Sequence, residues 1–223
     1  TDHVSVVYYG VDPAFVPRPP RADLLDRYGL RGHPIVLFFG GLKPRKNLFL
    51  LLDVWASVAA RLPEARLVIA GGGPLRAGLE RHARRLGLEG RVVFTGYVPE
   101  SEKAAHFNLA DVFLFPSAME GFGFTVAEAM SSGVPVVASD RGSIPELVAD
   151  GESGFACDPA APGRFVERLL LLLGDPALRD KLGAVGRERA DRLFRWEPCV
   201  AATRRVYEDA LEAWRRRGGQ APR

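Results

Sequence analysis

The sequence predicts a doubly wound, Rossmann-like α/β domain built on a parallel sheet, and three features point to it. Its strand-like runs are apolar without alternation, as strands covered on both faces must be. Each run is followed by a longer stretch whose apolar residues recur at helical spacing. The alternation persists over roughly 150 residues, which calls for βαβ units rather than separate all-α and all-β pieces.

Ile35-Val36-Leu37-Phe38-Phe39 is the first strand and ends at Gly40-Gly41. Leu48, Leu51, Leu52, Trp55, Val58, Ala59 and Leu62 then mark a helix. Leu67-Val68-Ile69-Ala70 runs into Gly71-Gly72-Gly73-Pro74, and Pro74 suits the first helical position, where no N–H is needed. Leu75, Leu79 and Leu86 continue that helix, with Arg76, Glu80, Arg81, Arg84 and Arg85 as its wet face. Val92-Val93-Phe94 precedes a helix near 100–109, and Val112-Phe113-Leu114-Phe115 precedes one near 124–132. Val134-Pro135-Val136-Val137 leads to a short helix near 143–149, and Gly154-Phe155-Ala156 is the last strand. The remainder reads as helix. After Trp196, residues Val200, Thr203, Val206, Tyr207, Ala210, Leu211 and Trp214 form one amphipathic stripe. With no strand to feed, that helix must pack elsewhere on the surface or on another domain. Residues 1–20, including Pro17-Arg18-Pro19-Pro20, read as a connector, 21–195 as the domain, and 196–223 as a C-terminal helix with a basic tail.

With 223 residues, 47% hydrophobic and 26% charged, the chain is neither disordered nor fibrous. A net charge of +3 on scattered arginines is too weak for a nucleic-acid footprint. The Arg215–Arg217 cluster reads as solvated, with weak peripheral attraction to an anionic membrane face as the second reading. Cys157 and Cys199 are too few and too far apart for a disulfide framework or a cysteine metal site; both read as buried thiols of a reducing, cytoplasmic compartment. The longest apolar runs fall far short of a membrane span, and no signal peptide opens the chain. His3, His33, His82 and His106 form no cluster, and Trp55 and Trp214 read as packing residues.

In such sheets ligands bind beyond the carboxyl ends of the strands, where helix N-termini offer free N–H groups. Three segments there are unusual: Gly40-Gly41-Leu42-Lys43-Pro44-Arg45-Lys46-Asn47, Gly71-Gly72-Gly73-Pro74, and Pro116 through Met130. In the last, Glu120 ends a loop, a helix begins near Gly123, and Glu128 lies about a turn and a half into it. A carboxylate accepts two hydrogen bonds at once, which suits the vicinal hydroxyls of a ribose or hexose. The amides of Gly121, Phe122 and Gly123 suit a diphosphate, with Lys46 or Arg45 as compensating charge and Lys43 solvated. The Gly71–Gly73 run reads either as ligand-facing or as a tight strand-to-helix turn. No Asp-x-Asp pair follows a strand to hold a divalent metal against the diphosphate.

This ordered set resembles the family-four retaining glycosyltransferases of the GT-B fold. The matching pieces are the Glu120/Glu128 pair around Glu120-Gly121-Phe122-Gly123, Pro44-Arg45-Lys46-Asn47, Gly73-Pro74-Leu75, Gly96-Tyr97-Val98, Gly133 through Ser139, and Ile144-Pro145-Glu146. Tyr9-Gly10-Val11-Asp12 looks like that family's interdomain connector, with Tyr9 in place of the usual Asn. The resemblance implies one half of a GT-B fold, the donor-binding half, with acceptor contacts in an N-terminal domain that this chain lacks. It implies no cofactor beyond a nucleotide-diphosphate sugar, metal-independent chemistry, and a glycan or lipid-linked acceptor. Residue by residue it implies Glu120 on the donor sugar and Glu128 on the ribose. It places Lys46 and the amides from Gly121 to Phe124 and Thr125 on the diphosphate, with the base near Tyr97 and Val98. Glu120 and Lys46 then stand as the catalytic pair. Gly41 stands where the family often carries an Arg, and Gly72 where it often carries an Asp. The Pro44–Asn47 loop looks most like mannosyltransferase members, so GDP-mannose is the first expectation among UDP- and GDP-sugars. The chain alone is expected to bind nucleotide with little or no transfer. The alternatives are a non-catalytic nucleotide-binding module of the same fold, or a GT-B sugar-nucleotide epimerase.

Overall fold

A computed structural model describes residues 4–216. His3 and Arg217 lie outside the described residues, while Arg215 and Arg216 are exposed at the end of α9. Nine helices and six strands are found among the described residues: α1 (Ala22–Tyr28), β1 (Ile35–Phe39), α2 (Leu48–Ala59), β2 (Arg66–Ala70), α3 (Arg76–Arg85), β3 (Val92–Gly96), α4 (Glu100–Phe107), β4 (Val112–Phe115), α5 (Phe124–Ser131), β5 (Val136–Ser139), α6 (Ile144–Leu147), β6 (Gly154–Cys157), α7 (Pro162–Gly174), α8 (Pro176–Leu193) and α9 (Trp196–Arg216).

All six strands are parallel and lie in the order β3-β2-β1-β4-β5-β6, the doubly wound arrangement predicted from the alternation. Every residue of β1, β4 and β5 is buried, which is why those runs carry no polar alternation. β3 at the sheet edge is only half-buried before Gly96. One helix group packs α2 against α3 and α7; the other packs α5 against α4, α6 and α8. Between sheet and helices sit the large buried side chains Trp55, Phe38, Phe107, Phe113, Phe115 and Phe165.

Several boundaries depart from the expectations. Pro74 lies in a turn and α3 starts at Arg76, because the Leu75 amide donates to the Leu42 carbonyl instead of opening the helix. β5 starts at Val136, since Pro135 has no N–H to give the ladder; its carbonyl still accepts from Phe113. α1 was not anticipated; it is short, buries only Leu24, and closes on Gly29 in the left-handed region. Cys199 is half-buried rather than buried, whereas the buried Cys157 thiol is pushed up to about 11 by desolvation. α9 buries no residue at all, so Trp214 is half-exposed and makes no core packing. Among the described residues no helix is long and apolar enough to cross a membrane.

The connector packs on the domain. Val11 and Phe15 are buried in the core, and the Val11 amide donates to the Phe194 carbonyl at 2.7 Å.

The glycines after β2 serve backbone contact between two loops. A Cβ on Gly71, at φ +131°, would lie 2.0 Å from the Gly40 carbonyl oxygen, and one on Gly73 would lie 2.6 Å from that of Leu42. The Leu42 amide donates to Gly72 at 2.9 Å across the same junction. Gly71→Ala is therefore expected to cost roughly 2–4 kcal/mol from overpacking and backbone strain, measured by urea unfolding. Gly72→Ala, whose Cβ meets nothing within 4 Å, should cost under about 1 kcal/mol.

Candidate functional site

Strand order reverses between the adjacent strands β1 and β4, and doubly wound sheets open their ligand crevice beyond the carboxyl ends at that point. The two loops that leave those ends carry Lys46 and Glu120. After β1 the chain makes a 3₁₀ turn over Pro44–Lys46, closed by Lys46 N to Lys43 O at 3.0 Å. Asn47 adopts the left-handed conformation (φ 55°) that sends the chain into α2, and Asn tolerates that region better than most residues. The second loop is pinned to the first by Ala118 N donating to Arg45 O at 2.8 Å.

This pinning brings together side chains 74 positions apart in sequence: Lys46 Nζ lies 2.6 Å from Glu120 Oε1. Both residues are 8% exposed. The Ser117 hydroxyl lies 2.7 Å from the same oxygen, and Ser139 at the end of β5 donates to the Ser117 carbonyl at 2.6 Å. Arg45, half-exposed, reaches Glu120 Oε2 at 3.4 Å. Burial pushes the Lys46 ammonium below its ordinary value, opposed by the hydrogen bond and charge of Glu120. The Phe115 ring, 4.5 Å from Nζ, floors the pair. Lys43 is exposed, as expected, and its aliphatic stem lies over Gly41.

Glu128 has a different setting. It is buried on α5, and Lys103 of α4 donates to its Oε1 at 2.6 Å. Its Oε2 is buried with no hydrogen-bond partner among the described residues. Desolvation pushes the carboxyl up to about 7, with Lys103 only partly offsetting it. The rings of Phe15 and Phe39 face the Lys103 ammonium at 5.5 and 5.8 Å. Lys103 was missed by sequence reasoning. It sits on a different βα unit from Glu128, and no local motif marks it.

Between the two carboxylates runs the loop that enters α5. Gly123, at φ 93°, is its N-cap, and no side chain caps it. Among the described residues, the amides of Gly121, Phe122, Gly123, Phe124 and Thr125 donate to no protein acceptor; the first amide so used is that of Val126, to Gly123 O. Free amides at a helix start are what an anion requires. Tyr97, 81% exposed, and buried Val98 follow β3 on the same carboxyl edge of the sheet, two strands from β1. The two carboxylates thus hold separate lysines and do not touch each other. The cavity of about 280 Å³ between the connector, α8 and α9 is lined by none of the predicted site residues. Among the described residues no group of three or more His, Cys, Asp or Glu is placed to hold a metal ion. His82 and His106 lie in helices and bond to Asp53 and to Tyr28 respectively.

A family model described as glycosyl transferases group 1 matches residues 25–189. The chain is 36% identical over 213 residues to a GDP-mannose-dependent alpha-(1-6)-phosphatidylinositol monomannoside mannosyltransferase of Mycolicibacterium smegmatis, covering 92% of this chain and 56% of the relative. It is 35% identical over 225 residues to a D-inositol 3-phosphate glycosyltransferase of Streptomyces avermitilis, covering 96% and 48%. Among solved structures, HepE of Anabaena in complex with UDP and glucose matches with a TM-score of 0.82 at 25% identity, over 93% of this chain and 56% of that one. The chain spans about half the length of the curated relatives it matches.

The Glu128 setting gives a pH-dependent expectation. Its carboxyl sits above the ordinary 4.5, so the folded state holds a proton that the unfolded state releases, and this group's contribution to stability falls as pH rises from about 4.5 through about 7. Lys103→Met removes the ammonium that tolerates the charge. It should cost roughly 3–5 kcal/mol above pH 7 and distinctly less at pH 5.5, where Glu128 is protonated. Urea midpoints of both proteins across that range check it.

Proposed function

The chain belongs to the glycosyl transferases group 1 family, and from that premise we propose that it is the donor-binding half of a retaining hexosyltransferase. The observation that carries the reading is the run of five free amides at the start of α5, set between two buried carboxylates that each hold a lysine. A diphosphate on those amides gains charge-assisted hydrogen bonds and the positive end of the helix. Lys46 and Arg45, one buried and one half-exposed beside Glu120, supply the countercharge.

On this reading Glu120 accepts from hydroxyls of the donor sugar, oriented by Lys46 and Ser117. The unpartnered Glu128 Oε2 accepts from the ribose, which gives a buried acceptor the donor it lacks. The base lies along the carboxyl edge toward Tyr97 and Val98. Departure of the nucleotide puts charge on the diphosphate, and Lys46, Arg45 and the α5 amides are already in place to stabilise it. No cofactor or metal is invoked. Attack from the face of departure, assisted by the leaving diphosphate, retains the anomeric configuration without an enzyme nucleophile. We place acceptor contacts in the half of the relatives that this chain does not match. GDP-mannose is the proposed donor, supported by the name of the M. smegmatis relative, and a lipid-linked glycan with weak peripheral membrane contact is the proposed acceptor setting.

GDP at about one hundred times its dissociation constant should stabilise the chain by about 2.7 kcal/mol, more than UDP or ADP at equal concentration, in a thermal-shift series. In the full-length enzyme, Glu120→Ala should abolish turnover. Intact turnover overturns the reading, and nucleotide binding without sugar discrimination points to a non-catalytic module.

Binding should also release protons. The ribose hydroxyls favour the charged Glu128, which is half protonated near pH 7 in the free protein, so GDP affinity weakens as pH falls from 8 to 6. Calorimetry in two buffers of different ionisation enthalpy measures the release; affinity that is flat with pH sinks the ribose assignment.

A further inference from the structure

The connector meets the donor loop through an aromatic cluster. The Tyr9 ring packs against Phe122 at 5.4 Å (72°) and against Phe124 at 5.2 Å (41°). Phe122 and Phe124 meet at 4.9 Å, and Phe122 also packs edge-on against Phe194 at 5.6 Å. These two phenylalanines flank Gly123 and lie inside the run of free amides. The Gly123 carbonyl accepts from Val126 and Ala127, but the five amides of the run have no acceptor among the described residues, so side-chain packing carries much of the loop's shape ahead of α5.

Behind Tyr9 the connector is fixed. Tyr8 donates to Glu146 at 3.0 Å and packs edge-on against Phe194 at 5.7 Å. A Cβ on Gly10 would lie 2.6 Å from the Trp196 ring, so the strand of connector lies flat against the start of α9. Tyr9 itself is 55% exposed and belongs to no core, and its hydroxyl makes no hydrogen bond among the described residues. A large ring held at its backbone, idle at its hydroxyl and laid on two loop phenylalanines is placed to hold that loop.

We infer that Tyr9 is a positioning residue for the nucleotide-diphosphate site, keeping the Gly121–Thr125 amides in their anion-binding arrangement through Phe122 and Phe124. The inference rests on the donor-site reading above, and it adds a residue outside the sheet and its loops. Without the ring, the loop must be ordered by the ligand, and affinity falls by the energy of one or two aromatic contacts.

The test uses the 223-residue chain with GDP as the probe. Tyr9→Ala should weaken GDP binding roughly five- to tenfold by calorimetry, the range that one or two aromatic pairs convert to. Tyr9→Phe should bind within about twofold of the parent, because only the ring is used. Val166→Ala, a buried change on α7 away from the loop, lowers the melting temperature without moving affinity and separates positioning from general destabilisation. Amide hydrogen exchange of residues 121–125 in the ligand-free protein should quicken in Tyr9→Ala, and the difference should vanish when GDP saturates. Unchanged affinity in Tyr9→Ala, or equal weakening in Val166→Ala, overturns the inference while leaving the donor site standing. If the parent binds no nucleotide, the donor-site reading falls, and the exchange rates alone decide whether Tyr9 orders the loop.

Discussion

The buried contact between Lys46 and Glu120 is the constraint around which the site is arranged. Two opposite charges at 2.6 Å in a nearly dry place are tolerated only with exact geometry and further hydrogen bonds. The fold supplies both. β1 and β4 are neighbours at the reversal of strand order, so the loops beyond them are forced together. Ser117, held by Ser139, gives Glu120 Oε1 a second donor while Oε2 keeps only the 3.4 Å contact of Arg45, and the Arg45 carbonyl ties the loops' backbones. Removing either charge would strand the other, which makes the pair a registration device for the two loops as well as a chemical group.

The second acid and lysine obey a different logic. Glu120 has partners for both oxygens, whereas Glu128 has one oxygen paired and one buried without a donor among the described residues. A half-satisfied buried carboxylate is costly, and desolvation correspondingly raises its protonation point. Between the two acids, the amides of residues 121–125 have no acceptor among the described residues, and most of that run is open to solvent.

The surfaces left uncovered are concentrated at the chain's two extremities. α9 keeps an apolar stripe, including Val200, Tyr207, Leu211 and Trp214, without burying any of it, and Tyr9 and Phe124 are partly open at the entry to α5. The curated relatives are about twice this chain's length, and the chain matches about half of each. The connector and the α8–α9 junction are joined by the hydrogen bond from the Val11 amide to the Phe194 carbonyl.

The amino-acid order by itself determined the fold class and the acids of the site. Uninterrupted apolar strands, helical spacing and glycine-rich strand ends reflect local rules, so six strands and their carboxyl-edge loops were legible, as were Lys46, Glu120 and Glu128 within their motifs. The boundary at Pro74 and the short α1 were less so, because a loop-to-loop hydrogen bond and one buried leucine decided them, whereas the shift at Pro135 follows from its missing N–H. Tertiary structure alone decided who partners whom. Lys103 meets Glu128 across 25 positions and Tyr9 meets Phe122 across more than a hundred, pairings that no spacing encodes. The physical reason is that periodicity reports which face of an element is buried, while ion pairs and ring contacts depend on where the sheet order places separate βα units.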